Sequence, residues 1–375
     1  MNDLLLSSET ILDSLSEGVY VCDRDRRIVF WSKSAERITG WQSDDVVGKR
    51  CLEDILCHVD KDGHRLCGEE YCPLHRAMIT GVTTSVPIIV FAQSKDGRRI
   101  PTQVTTSPIR NAAGEVIGVV ETFRDVSPIL VDLERAKKIQ EQSLDQDLPA
   151  DPRVQFSAFF MPHDIVGGDY YAIKQIDADR YGFLLADMEG HGVAAALYAM
   201  HLSILWNRYF HLLKHPADFT AAVNAELIEI FGSVVTFATA MCGIIDVPEA
   251  TLCFTGAGGP TPLIIHENWT VDQPKSTGPP LGVMEDISYK EKSVKLEPGD
   301  SILLFSDGAI EIQNAKNEWL GNEGFTRILK SLDYPRTKLS MDSLEEELLK
   351  FSNDIRLQDD ITIIEVRFNG QSAAG

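Results

Sequence analysis

The chain has 375 residues, 44% of them hydrophobic and 24% charged, which is the composition of a globular protein and a length that allows two domains. Its 56 acidic and 35 basic residues give a formal net charge of −21, which opposes a nucleic-acid or anionic-membrane partner because both need positive charge. No apolar run reaches the roughly 18 residues of a membrane span and the acidic N-terminus lacks the basic start of a signal peptide, so we expect a cytoplasmic protein whose seven cysteines are thiols or metal ligands.

The N-terminal third predicts a small antiparallel sheet with helices along one side. A hairpin is predicted by "GVYVCD" (18–23) and "RIVFWS" (27–32), which flank the turn "RDR". A short helix that ends at glycine is predicted by "SAERITGW" (34–41). Three more strands are predicted within residues 85–127, separated by the turns "KDG" and "NAAGE".

Three segments of this region resemble a PAS sensor domain over about residues 9–126. They are "EGVYVCDRDRRIVFWSKSAERITGW", "VVGKRC" and "TSPIRNAAGEVIGVVETFRDVS". The resemblance implies a signal-receiving module that is often dimeric and whose ligand is not fixed by the family.

Residues 127–148 predict a helical linker, because they are charged, contain no glycine and carry a narrow apolar stripe. The stripe consists of Ile129, Leu133, Ala136 and Ile139. It spans under two heptads, so a coiled coil and an amphipathic helix lying on its own domain both remain open. Prolines in "LPADP" end the helix, since proline cannot continue it.

The remainder, residues 149–369, predicts antiparallel strands with two long helices inserted, which indicates two layers of sheet covered by helices. Predicted strands are "VQFSAFFMP", "GDYYAIKQID", "RYGFLLADM", the hairpin "FATAMCGIIDVPEATLCFTGAGG" and "DDITIIEVRF". Predicted helices are "VAAALYAMHLSILWNRYFHLL" and "PADFTAAVNAELIEIFG". The whole chain is thus predicted to be α+β.

Acidic turns adjoin several of these apolar strands, at Asp169, Asp187, Asp307 and the pair Asp359 and Asp360. An Asp-Gly pair taken alone is most often only a turn, but strand ends can bring several acids together. Clustered carboxylates repel one another, and a bound divalent cation stabilises them. Oxygen ligands favour Mg²⁺ or Mn²⁺, and two such ions can activate water and clamp a phosphoryl group. Adjacent glycines let the backbone approach the metal.

The motifs of this region resemble the SpoIIE/RsbU branch of the PPM (PP2C-like) protein serine/threonine phosphatases, over about residues 132–368. They are "LERAKKIQEQSL…MPHDIVGGDYY", "ADMEGHGVAAALYAM", "TGAGGPTPLII", "GPPLGV", "PGDSILLFSDGAIEIQN" and "DDITIIEVRF". The resemblance implies an α-β-β-α sandwich and two Mn²⁺ or Mg²⁺ ions. It implies removal of phosphate from a protein serine or threonine, typically of a STAS-type anti-sigma-factor antagonist. It also favours a homodimer through the PAS domain and the linker helix.

Carried over by position, the resemblance assigns catalytic metal ligands and supporting residues. The ligands are Asp169, Asp187, Asp307, Asp359 and the carbonyl of Met188. Asp360 is expected to orient the site, and Gly168, Gly190, His191 and Gly308 to shape the turns beside the ligands. For His191 this role is favoured over that of a general acid.

Departures from the family pattern keep a second hypothesis open, a catalytically weak pseudophosphatase that binds a phosphoprotein. They are Ala172, Ala186, Glu189 and Gly259. None removes a ligand carboxylate, so the phosphatase is the leading hypothesis. A histidine kinase is excluded because the phosphoacceptor helix and the ATP-binding glycine boxes are not found after the PAS region.

A cysteine and histidine cluster in the PAS region has no obvious packing purpose. Its residues are Cys51, Cys57, His58, His64, Cys67, Cys72 and His75. Cys51, His58, Cys67 and Cys72 resemble a recurring PAS variant and are the first choice for ligands of zinc, iron or an iron–sulfur cluster. Half-buried thiols without metal and a thiol–disulfide switch remain alternatives. The other three cysteines, Cys22, Cys242 and Cys253, are predicted to be core residues.

Overall fold

The computed structural model describes residues 8–51, 53, 55–60, 63–68, 72–85, 89–144, 147–276, 278–353 and 359–370. The chain divides into two compact units, Met1–Asp132 and Leu133–Gly375. In the described part of the chain, no helix is both long and apolar enough to cross a membrane.

The first unit is a six-stranded antiparallel sheet with short helices, as the sequence predicts. Its strands are β1 (Gly18–Asp23), β2 (Ile28–Trp31), β3 (Thr84–Ser85), β4 (Val90–Gln93), β5 (Arg99–Arg110) and β6 (Val116–Asp125). Its helices are α1 (Ser8–Asp13), α2 (Lys33–Thr39), α3 (Ser43–Val46) and α4 (Pro73–Thr80). The strand order is β2-β1-β6-β5-β3, and β4 also pairs with β5. Ser32 caps the start of α2 and Gly40 ends it at φ 76°, which confirms the predicted helix and its glycine stop.

The linker helix α5 covers Ser127–Leu144 and includes the division between the units. Its buried residues are Gln140 and Leu144, and Leu144 belongs to the core of the second unit. The predicted apolar stripe is not buried within this chain at two of its positions, since Ile129 and Ile139 are 50% and 60% exposed. The C-terminal part of the helix instead packs the side that carries Gln140 and Leu144 within the second unit.

The second unit contains two five-stranded antiparallel sheets. The first has the order β14-β11-β10-β9-β8 and the second has the order β13-β12-β15-β16-β7. The strands of the first are β8 (Asp169–Gln175), β9 (Arg180–Met188), β10 (Ala238–Asp246), β11 (Thr251–Ala257) and β14 (Lys292–Lys295). Those of the second are β7 (Val154–Met161), β12 (Leu263–Ile265), β13 (Val271–Asp272), β15 (Asp300–Phe305) and β16 (Ile361–Phe368).

Helices cover the outer face of each sheet and complete an α-β-β-α sandwich, which confirms the predicted fold. The helices are α6 (Val193–Tyr209), α7 (Pro216–Phe231), α8 (Gly321–Ser331) and α9 (Met341–Phe351), with 3₁₀ turns at Phe210–Leu212 and Asp307–Ala309. One core lies between the first sheet and α6 and α7, a second between the two sheets, and a third between the second sheet and α8 and α9.

The central strands are apolar on both faces because both faces are covered. In β9, Phe183 and Leu185 belong to the core between the sheets, whereas Leu184 and Ala186 belong to the helix-covered core. The continuous run "YGFLLA" therefore marks a fully buried strand rather than a helix.

Candidate active site

Two acids of the first sheet stand opposite each other at one end of neighbouring strands. Asp169 begins β8, Asp187 lies next to the end of β9, and the antiparallel register pairs them directly. Side chains alternate along a strand, and Phe183 and Leu185 point between the sheets. Asp187, two residues further along, therefore faces the same space between the sheets.

The second sheet contributes its acids where β15 ends and β16 begins. Asp307 opens the 3₁₀ turn that follows β15, and Asp359 and Asp360 directly precede β16. The two strands are antiparallel neighbours, so the end of one adjoins the start of the other. A Cβ on Gly308 would stand 2.1 Å from the carbonyl oxygen of Asp360, and only glycine permits this approach.

The four carboxylates form a series of contacts across the gap between the sheets. The carboxylates of Asp169 and Asp307 both lie near that of Asp187, and Asp359 interacts electrostatically with Asp307. Burial raises the pKa of Asp169, Asp187 and Asp359, and the charge of neighbouring carboxylates raises each pKa further. Such a cluster is stable only when protons or a cation offset its charge.

Two oxygens of this series test whether the site fits a metal. Oδ1 of Asp169 and Oδ1 of Asp307 are buried and have no hydrogen-bond partner. A buried carboxylate oxygen without a partner is costly, and a cation would satisfy it. The donors are all oxygens, which fits a hard divalent ion such as Mg²⁺ or Mn²⁺. Within the described residues no group of three or more His, Cys, Asp or Glu side chains is placed so that it could hold an ion, so the acids adjoin without forming a complete set of ligands.

The backbone beside Asp169 and Asp187 is also closely packed. A Cβ on Gly168 would stand 3.2 Å from the carbonyl oxygen of Met188 and 3.3 Å from that of Gly190. Gly190 has φ +85°, a left-handed conformation that favours glycine. The carbonyl of Met188, a predicted ligand, therefore lies against the loop that leads into Asp169.

Asp360 holds that loop in place. Its carboxylate is buried and accepts hydrogen bonds from the backbone N–H of His163, at 2.6 Å, and of Gly168. A Cβ on Gly167 would stand 2.7 Å from the same carboxylate. Its oxygens are thus engaged with the loop, which is the placement expected of a residue that orients the site.

Two hydroxyl side chains, not named as site residues from the sequence, connect the second sheet to the acids. Thr362 Oγ1 donates to Asp169 Oδ2 at 2.5 Å, and Ser306 Oγ accepts from the backbone N–H of Thr362 at 2.9 Å. The available signal was the threonine two residues after the pair Asp359 and Asp360, which alternation places on the inner face of β16.

Gln140 of α5 also reaches this site, and the sequence did not predict it. Its side-chain amide is buried and pairs twice with the backbone of Gly167. Nε2 donates to the carbonyl oxygen of Gly167 at 2.6 Å, and the N–H of Gly167 donates to Oε1 at 3.1 Å. The linker helix is therefore joined to the residue two positions before Asp169.

His191 lies on the same loop but outside the series of acids. Its side chain is exposed, and Nδ1 is 2.9 Å from Asp164 Oδ2. Its ring stands edge-on to that of His163, with centroids 5.5 Å apart. These contacts fit the predicted turn role rather than that of a general acid.

The departures Ala186 and Gly259 adjoin the acids without displacing any of them. Together with Thr239 and Ser306 they line a small cavity beside Asp187. Of the others, Ala172 is buried in the helix-covered core and Glu189 is exposed. All four predicted ligand aspartates keep their places at the strand ends.

Among the described residues of the first unit, the predicted cysteine and histidine ligands form no group of three or more that could hold a metal ion. Cys51, His58 and Cys72 are buried, and Cys67 is partly exposed with its Sγ accepting the N–H of His58 at 3.2 Å. The thiols of Cys51 and Cys22 interact, which raises the pKa of Cys22. All seven cysteines are thiols; of the three predicted core cysteines, Cys22 and Cys242 are buried, but Cys253 is only partly so.

Glu121 of β6 lies beside this cluster and was missed from the sequence. It is 1% exposed, and its Oε1 is 3.8 Å from His58 Nε2; neither atom has a hydrogen-bond partner. Burial raises the pKa of Glu121 to about 8 and lowers that of His58 to about 4. At neutral pH both groups are therefore largely uncharged and do not form an ion pair.

Comparison with known proteins finds a matching family for each half of the chain. The PAS fold profile matches residues 8–126, and the profile of Stage II sporulation protein E (SpoIIE) matches residues 177–369. The phosphoserine phosphatase RsbP of Bacillus subtilis is 29% identical over 183 residues, which cover 48% of this chain and 45% of RsbP. The phosphoserine phosphatase RsbU of the same organism is 24% identical over 306 residues, or 81% of this chain and 88% of RsbU. This chain thus spans less than half the length of RsbP.

Among solved structures, the SiaA-PP2C domain of Pseudomonas aeruginosa superposes with a TM-score of 0.57 at 24% identity, covering 64% of this chain and 97% of that domain. At this identity the likeness shows the fold alone, which is the PP2C-like sandwich described above. The SpoIIE profile covers more than half of the chain. The chain therefore belongs to the SpoIIE family, and a PAS domain precedes its SpoIIE domain.

Proposed function

We propose that the protein is a PAS-regulated, metal-dependent phosphatase that removes phosphate from serine or threonine of a protein. The observation that carries the proposal is the meeting of Asp169, Asp187, Asp307 and Asp359 between the two sheets, with buried, unpartnered oxygens on two of them. Membership of the SpoIIE family supports it.

The residues of the proposed site have two roles: some would bind the metal ions, and others hold those ligands in place. Asp169, Asp187, Asp307, Asp359 and the carbonyl of Met188 would hold two Mn²⁺ or Mg²⁺ ions. Bound there, the ions would supply an activated water and neutralise the charge of the phosphoryl group.

The residues that hold the ligands in place fix the positions of the ligand oxygens before substrate binds. The hydroxyl of Thr362 fixes the Asp169 carboxylate from the opposite sheet. Asp360 and Gln140 fix the loop before Asp169 from two sides. Such preorganisation is what a metal site needs, because supporting residues orient the ligands and tune their affinity.

For the substrate we propose a phosphorylated STAS-type protein. The motif resemblance supports this choice, as do the names of the relatives RsbP and RsbU, which are phosphoserine phosphatases. A cytoplasmic location is part of the same proposal, and it agrees with seven cysteines that are all thiols.

We also propose a homodimer that uses the PAS domain and α5. Ile129, Val131 and Ile139 leave apolar surface exposed on α5, and such surface is available to a second copy of the helix. Sedimentation of the wild type and of Ile139→Glu tests this: the wild type should sediment as a dimer and the variant more weakly so, whereas a monomeric wild type would contradict the proposal.

The phosphatase proposal is tested by hydrolysis of para-nitrophenyl phosphate and of a phosphorylated STAS protein, with and without Mn²⁺. The wild type should turn over both substrates only with metal, and Asp307→Asn should lose this turnover. Asp342→Asn is the matched control, because Asp342 is exposed on α9 away from the acids. Equal turnover by Asp307→Asn and Asp342→Asn would refute the metal site.

The second candidate is a pseudophosphatase that binds the phosphoprotein without turning it over. The departures Ala186 and Gly259, which line the cavity beside Asp187, favour it. No turnover with any metal, combined with retained tight binding of the phosphoprotein, would decide for it.

A further inference from the structure

A small recess lies beside Asp187, on the side of that residue away from Asp169. The antiparallel register places Asp169 and Thr239 opposite Asp187 on its two neighbouring strands. Residues directly opposite each other share a face of the sheet, so Thr239 lies on the face that carries the acids. Gly259, which follows β11, and Ser306, which follows β15, also line the recess. The recess therefore adjoins the acids directly.

The recess is small and its inner end is apolar. Its volume is about 10 Å³, which is about the space that one water molecule needs, and a methyl group is of similar size. Leu185 and Met241 form the next cross-strand pair on the same face, and both belong to the core between the sheets. The hydroxyl of Ser306 is already engaged with the backbone of Thr362 and Asp360. These surroundings fit a methyl group better than a water molecule, which needs about two to four polar partners.

Gly259 keeps this recess open because it lacks a side chain. A Cβ at this position would stand 3.3 Å from Thr239 Oγ1 and 3.4 Å from Thr239 Cβ, so it would enter the recess. The backbone of Gly259 does not adopt the left-handed conformation that favours glycine. The missing side chain, rather than the backbone conformation, is therefore what glycine contributes here.

Phosphothreonine differs from phosphoserine by one methyl group, which is bonded to the carbon that carries the phosphate ester oxygen. A phosphoryl group bound at the acids therefore brings this methyl group close to Asp187, where the recess lies. We propose that the recess takes the methyl group of phosphothreonine, so that the site favours phosphothreonine over phosphoserine in its protein substrate. This inference rests on the proposed function, because it requires the phosphoryl group to bind at the acids.

The test uses the full chain with Mn²⁺ and two synthetic peptides of one alanine-rich sequence, one carrying phosphothreonine and the other phosphoserine. The value of kcat/KM should be about fourfold or more higher for the phosphothreonine peptide, because burial of one methyl group contributes about this factor. Gly259→Ala should reduce the ratio of the two values to about one, since its Cβ occupies the recess. The comparison with this variant also corrects for any difference in the reactivity of the two esters.

The matched control is Gly68→Ala in the PAS domain. A Cβ on Gly68 would meet no other atom within 4 Å, so this variant should keep the wild-type ratio. If Gly259→Ala fails to fold, the ratio measured for the wild type still tests the proposal.

Three results would overturn the proposal. The first is an equal kcat/KM for the two peptides with the wild type, which would show that the recess holds only water. The second is a preference that Gly259→Ala leaves unchanged. The third is hydrolysis of neither peptide by a wild type that turns over para-nitrophenyl phosphate with Mn²⁺. If para-nitrophenyl phosphate is not turned over either, the proposed function itself fails and this inference fails with it, so the two failures are distinguishable.

Discussion

Replacing Gln140 by leucine should disturb the active site through the linker helix. The substitution removes both hydrogen bonds to Gly167 and leaves a buried N–H and a buried carbonyl without partners. Each such group costs about 1–3 kcal/mol, and leucine regains part of this by burying apolar surface, so we expect a net loss of about 2–4 kcal/mol. In a unit of this size that lowers the melting temperature by roughly 5–15 °C.

The loop should lose its fixed position together with that stability. Gly167 is followed by Gly168 and the proposed ligand Asp169, so the apparent affinity for Mn²⁺ should fall about tenfold or more. The assay is thermal unfolding with and without Mn²⁺, together with the Mn²⁺ dependence of para-nitrophenyl phosphate hydrolysis.

The matched control is Gln142→Leu, on the same helix but exposed. It should change stability by no more than about 0.5 kcal/mol. The reasoning fails if Gln140→Leu has the same melting temperature as Gln142→Leu and requires no higher Mn²⁺ concentration for hydrolysis. In that case the pairing with Gly167 does not position the loop.

Three further predictions each concern a substitution that alters one contact. Gly308→Ala places a Cβ against the carbonyl of Asp360 and should cost about 3 kcal/mol or more in urea unfolding; a variant with wild-type stability would contradict the packing described. Thr362→Val keeps the shape but removes the hydroxyl that donates to Asp169; turnover should fall about tenfold with unchanged circular dichroism, and undiminished turnover would show that the bond is dispensable. Burial opposes the charge of His266, but hydrogen bonds with Asp300 and Asp272 outweigh it and raise the pKa of His266. Its stabilisation, about 1 kcal/mol or less, should be complete below the unfolded pKa of about 6.5 and disappear as pH rises through the higher folded pKa; urea midpoints of wild type and His266→Gln should converge at alkaline pH, and a constant difference would exclude this linkage.

The strand ends of the active site were predictable because local pattern and chemistry agree there. A continuous apolar run identifies β9 as a strand that is covered on both faces. Asp187 follows this run near the end of the strand and must therefore lie at an edge of the sandwich. The same holds for Asp307 after β15 and for Asp359 before β16. Which acids lie beside each other depends on how strands far apart in the sequence are arranged, and no short segment encodes that.

Contacts made by isolated polar residues could not be predicted in this way. The apolar stripe of α5 left the partner of the helix open, and nothing in that pattern indicates that the polar Gln140 is buried. Glu121 shares a face of β6 with the buried Val119 and Phe123, but a glutamate at such a position does not by itself indicate a buried carboxyl. In both cases the partner is a backbone group or side chain far away in sequence.

The division of the four aspartates between two sheets has a mechanical consequence. In the described residues no strand of one sheet pairs with a strand of the other. Side-chain packing and a few hydrogen bonds, such as that of Thr362 to Asp169, therefore set their mutual offset. A slip of one sheet along the other would separate Asp169 and Asp187 from Asp307 and Asp359 while leaving every ladder intact. Metal affinity should therefore respond to methyl-sized changes at Leu185 or Leu304, deep between the sheets, because such changes alter how far one sheet is shifted along the other.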